Sequence, residues 1–107
     1  MADRAHRAVV LRVWKEHVRT DFPPRLRGAE PGGIDVVLLD ASIAGCVSTW
    51  LDHRGPLDAR RCEVLRESLA ELEVALPLIT DETERDYLLR LDELARLTLQ
   101  DAPPLGS

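Results

Sequence analysis

The chain has 107 residues, 45% of them hydrophobic and 31% charged, with two cysteines and a net charge of −5. That is the balance of a single globular domain, and it excludes a disordered or low-complexity chain and a disulfide-dense secreted scaffold. The charge is uneven: residues 1–27 carry seven cations and three acids, net +4, and residues 28–107 carry seven and sixteen, net −9. The acidic body disfavours general binding to nucleic acid or to anionic membranes. Eighteen Leu and eleven Ala against a single Phe and a single Tyr favour helix over strand.

The first element is expected as a helix over residues 2–19. Val9, Val10, Val13, Trp14 and Val18 recur at helical spacing, with Arg7, Arg12, Lys15 and Arg19 largely elsewhere. The run Ala8-Val9-Val10-Leu11 is β-prone, so a strand is the competing reading. Pro23-Pro24 ends the element, since proline cannot continue the hydrogen-bond ladder. Residues 23–33 then read as a long crossing loop with three Pro and three Gly.

The next helix is expected over residues 34–53, opened by Gly32-Gly33 and closed by Gly55-Pro56. It is apolar on nearly every face, which predicts a central, surrounded helix. A buried strand over Ile34–Leu39 is the alternative, and it needs the Val9 region as its pairing partner. The length approaches that of a membrane span, but Asp35 and Asp40 lie inside it, each costing a few kcal/mol at that depth. A third helix over 58–76 carries a narrow seam of Cys62, Leu65, Leu69, Leu72 and Leu76, with Glu63, Glu67 and Glu71 outside it. Pro77 ends it. A fourth over 81–99 starts at Asp81, whose pairing with Glu84 resembles a capping box. Tyr87, Leu88, Leu91, Leu94, Ala95 and Thr98 form its inner face. The expected fold is therefore all-α: a single-domain four-helix bundle over residues 1–100, a long Pro/Gly loop between the first two helices, and a flexible tail over 101–107.

Four constellations invite a chemical reading. Asp40 sits within the most apolar helix, and a buried carboxylate needs a partner. Arg25 or Arg27 of the loop is the expected partner, with Trp14 or Trp50 as a wall if a ligand site forms there. Cys46 and Cys62 come level when the second and third helices fold back on each other near Arg54-Gly55. With His53 they make a thin metal set, because structural zinc takes four ligands and no C-x-x-C is present. The small residues Ala41 and Gly45 predict close approach of the first or fourth helix, or a symmetric contact between two chains. The basic face of the first helix is expected to be solvated, since a helix-turn-helix needs a shorter turn than this loop.

No catalytic motif stands out: there is no nucleophile elbow around Ser42, Ser48 or Ser68, and no phosphate-cradling glycine pattern. No metal or cofactor is expected. The leading expectation is a small acidic protein acting through protein contacts. It would be a self-associating adaptor, a homodimer in its simplest form, or an inhibitor- or immunity-type partner. Glu63, Glu67 and Glu71 would supply the steering face. The alternative is a small-molecule-binding or catalytic bundle with its site at Asp40, Arg25, Arg27, Trp14 and Trp50. The first apolar run is short and broken by Arg12, unlike a secretory signal, and a cytoplasmic location with reduced cysteines is the expectation.

Overall fold

A computed structural model describes residues 4–53 and 56–101. Four helices carry the fold: α1 (Arg4–Arg19), α2 (Val36–Asp52), α3 (Ala59–Ala75) and α4 (Glu82–Leu99). Single 3-10 turns lie at Pro24–Leu26, Pro31–Gly33 and Leu76–Leu78. The chain is an all-α four-helix bundle, and the described residues contain no strand. Both strand alternatives, at Ala8–Leu11 and Ile34–Leu39, give way to helix. Each run continues into residues that bury on a helical period. No helix among the described residues is long and apolar enough to cross a membrane.

Side-chain caps set three of the helix starts. Asp35 accepts from the Leu38 N–H at 3.1 Å, Asp58 from the Arg61 N–H at 2.8 Å, and Asp81 from the Glu84 N–H at 2.9 Å. Each satisfies an amide that has no partner within the helix. Asp35 thus lies before α2 rather than inside it. Pro77 does not stop the chain at Leu76: the backbone tightens into a 3-10 turn that carries on to Leu78.

The helix directions follow from contacts at two ends. His17, near the end of α1, meets Asp40 and Tyr87, which lie early in α2 and α4. At the other end, Arg7 donates to the Leu51 carbonyl, and the Trp50 indole N–H donates to Asp101 just past α4. So α1 runs antiparallel to α2 and α4. It rests mainly on α4, whereas α2, α3 and α4 pack closely on one another. The bundle is flattened, measuring 37 × 31 × 18 Å.

The core is a continuous cluster in which Val10, Leu26, Ile43, Leu65, Leu72, Leu88, Leu91 and Leu94 are all but sealed from solvent. On α4 the buried residues are those of the expected inner face. On α1 the face is turned: Val10, Val13 and His17 are buried, while Val18 is 58% exposed and Val9 also reaches solvent. On α2, Leu38 is 64% exposed and Ala41 and Gly45 face outward, so this helix is not surrounded. The expected close approach at Ala41 and Gly45 is absent, since a Cβ added to Gly45 would meet nothing within 4 Å. With α1 resting on α4, that side of α2 stays open. The close glycine approach occurs in the loop. Gly32 has φ 62°, and an added Cβ there would sit 2.7 Å from Val74 Cγ1, so its bare backbone lies against α3.

Candidate functional site

The buried polar centre of the bundle is Asp40, whose side chain is 21% exposed. Its Oδ1 accepts from His17 Nε2 at 3.0 Å and its Oδ2 accepts from the Tyr87 hydroxyl at 2.9 Å. His17 is 5% exposed and Tyr87 4%. The two rings stack at 4.9 Å, with Phe22 edge-on to Tyr87 and Trp14 tilted against His17. Because an ionised carboxylate only accepts, Nε2 is the nitrogen that carries the shared proton. His17 Nδ1 is buried with no hydrogen-bond partner among the described residues. Burial first, and the Asp40 carboxylate second, push the Tyr87 pKa well above its ordinary value. One carboxylate therefore ties three helices together. Bonds to a charged group contribute about 1.5–3 kcal/mol each.

The arginines expected at Asp40 are placed differently. Arg25 reaches the acidic start of α4, lying 3.3 Å from both Asp81 and Glu84. Four carboxylates fall within the stretch Asp81–Asp86, and they draw the cation away from Asp40. Glu84, engaged by Arg25, shows no reciprocal bond to the Asp81 amide, so the capping box is half-formed. Arg27 lies over the Phe22 ring, with Cζ 5.2 Å from the centroid. Trp14 flanks His17, but Trp50 sits at the opposite end of α2, beneath Arg7 and edge-on to His6. Of the ligand-site set, Asp40, Trp14 and Arg27 gather in one neighbourhood, and Arg25 and Trp50 lie outside it.

Cys46 and Cys62 are both buried free thiols. The Cys46 thiol donates to the Arg61 carbonyl at 3.8 Å, so the two helices do align these positions. Burial pushes the Cys46 thiol pKa up, which keeps it protonated and unreactive. Among the described residues, no group of three or more His, Cys, Asp or Glu is placed to hold a metal. The bend at Arg54-Gly55 lies outside the described residues.

Two outer faces carry unbalanced charge. On α1, Ala8, Leu11, Arg12, Lys15 and Arg19 line a shallow open groove of about 600 Å³. Glu16 also borders it, but is drawn toward Arg90 at 3.6 Å. Arg12, Lys15 and Arg19 form no ion pair among the described residues. On α3, Glu63, Glu67 and Glu71 stand in one exposed row, likewise without ion pairs among the described residues. The row continues into half-exposed Val74 and Leu78. Like charges at this spacing repel by a few tenths of a kcal/mol per pair, so neither row is there to support its own helix.

Sequence reasoning missed two members of the Asp40 cluster. The signals were present: His17 lies four residues after Val13 and seven after Val10, on the buried stripe. Tyr87, assigned to the inner face, has a hydroxyl that needs a partner when buried. Compared with known proteins, the chain matches no family model, no curated protein and no solved structure.

Proposed function

We propose that this chain is a protein–protein interaction module that docks through charged helix faces, with the acidic face of α3 as its steering surface. The observation that carries the reading is the row of Glu63, Glu67 and Glu71, exposed and without ion pairs among the described residues. A row of like charge raises encounter rates with a basic surface and repels acidic ones. The neighbouring Val74 and Leu78 give such a contact an apolar centre beside its polar rim. A cytoplasmic setting suits the reading, because both thiols are free. The small-molecule alternative near Asp40 and the 23–33 loop has less support. Both carboxylate oxygens are engaged by the protein, and two of its five residues lie elsewhere.

The test compares the full chain with its Glu63→Lys/Glu67→Lys/Glu71→Lys variant as immobilised baits in an extract of the source cells, at low and high salt. The variant is expected to keep its helical circular dichroism and to lose proteins that the parent retains at low salt and releases at high salt. Identical retention by both baits would contradict the assignment.

A further inference from the structure

We infer that a partner for the α3 face is a second copy of this chain, received on the α1 groove. The inference rests on the reading of the protein as an interaction module and names the occupant of that surface. The two outer faces are opposite in charge and similar in pitch. At 1.5 Å per residue, Arg12 to Arg19 spans about 10 Å and Glu63 to Glu71 about 12 Å.

Laid antiparallel, the helices match in register. Arg12 then lies opposite Glu71, Lys15 opposite Glu67 and Arg19 opposite Glu63. The same register brings Val9, which is partly exposed, against half-exposed Val74. Charge and apolar surface are thus complementary in one alignment and mismatched in the parallel one, where Val9 would lie opposite Arg60.

These faces cannot meet within one molecule. α1 lies against α4 and touches α2, while α3 packs on α2 and α4 with its glutamates turned to solvent. A contact between α3 of one copy and α1 of the next leaves a free basic face at one end and a free acidic face at the other. Such a heterologous contact repeats head to tail into chains or closes into a ring, rather than stopping at a two-fold dimer. The uneven charge read from the sequence, net +4 before residue 28 and −9 after it, is the one-dimensional trace of this polarity.

Sedimentation velocity of three full-length proteins tests the inference: the parent, an α1-reversed variant (R12E/K15E/R19E) and an α3-reversed variant (E63K/E67K/E71K). At low salt the parent is expected to sediment faster as concentration rises, and to return to monomer at high salt. Each variant alone presents like charges on both faces. Its self-association is expected to fall on the order of a hundredfold. An equimolar mixture of the two variants restores complementary faces and should reassemble.

A parent that stays monomeric at low salt, or a mixture that fails to reassemble, overturns the inference. So does a monomeric parent whose α1 cations bind a generic DNA duplex instead. If the parent is monomeric while the α3-reversed bait still loses proteins from extract, the second copy is excluded and the module reading stands. If neither result appears, both fall.

Discussion

α1 and α4 lie side by side, yet they are held by different means. α4 presents an unbroken buried stripe in which Leu88, Leu91, Leu94 and Ala95 are fully covered, and it touches every other helix. α1 buries only Val10, Val13 and His17, with Trp14 partly covered. It is anchored at its ends by directed bonds, His17 to Asp40 at one and Arg7 to the Leu51 carbonyl at the other. Apolar packing tolerates small rotations, whereas hydrogen bonds to fixed acceptors set both position and rotation. The anchors therefore determine which way the outer face of α1 points, and that face carries Arg12, Lys15 and Arg19. Stability resides in α4; the orientation of the α1 surface resides in Asp40 and Arg7.

The sharpest way to break the comparison is at α4. Leu91→Ala is expected to destabilise the whole bundle by about 3 kcal/mol, from lost transfer energy and a cavity at the helix crossing. Urea unfolding should show one transition with a lowered midpoint and an unchanged slope. A loss confined to a fraction of the helical signal would show that α4 is not the common core.

A smaller effect is expected at the anchor. Asp40→Ala strands the buried His17 N–H and Tyr87 hydroxyl together, for about 2–3 kcal/mol. Asp40→Asn should lose less, because the amide still accepts from Tyr87. Hydrogen exchange should then open α1 before the other helices. Uniform opening would mean that Asp40 does not act on α1 in particular.

The smallest effect concerns Tyr87, the only tyrosine in the chain. Burial and Asp40 raise its pKa in the folded state above the ordinary value of about 10. The folded protein therefore keeps this proton after the unfolded chain has lost it. The associated stability is complete below pH of about 10 and drains as pH rises beyond it. Phenolate absorbance should appear at higher pH in the folded protein than in urea. Tyr87→Phe should cost about 1 kcal/mol at neutral pH and lessen the alkaline dependence, to which the buried Cys46 thiol also contributes. Coincident titrations in buffer and urea would contradict both the burial of the hydroxyl and its bond to Asp40.

The same contrast explains what was legible beforehand. The inner face of α4 could be read from Tyr87 to Thr98 because its period is strict and Asp81 marks the start. On α1 the sequence pattern points to a turned face, because Val9 and Val18 add apolar positions off the stripe while His17, buried with Val10 and Val13, looks polar. Asp40 was identifiable as a carboxylate within an apolar helix. Its partners were not, since they lie 23 and 47 residues away and local patterning carries no record of such distances. From the sequence Asp35 reads as interior to the helix, because the glycine pair at 32–33 marks the apparent start; cap geometry shows where α2 begins. The outward row of Glu63, Glu67 and Glu71 followed directly from the buried seam of α3, whereas its match to the α1 groove needed both helices placed in space.

The most direct test of the account uses Lys15, the only lysine in the chain. Equal amounts of isotopically light and heavy full-length protein are mixed at low salt and treated with a zero-length amine–carboxyl coupling reagent. The digest is then read by mass spectrometry. The account predicts mixed-label cross-links joining Lys15 of one copy to Glu67, or to its neighbours Glu63 and Glu71, of another, and their disappearance at high salt. Lys15 joined only to carboxylates of its own copy would contradict it.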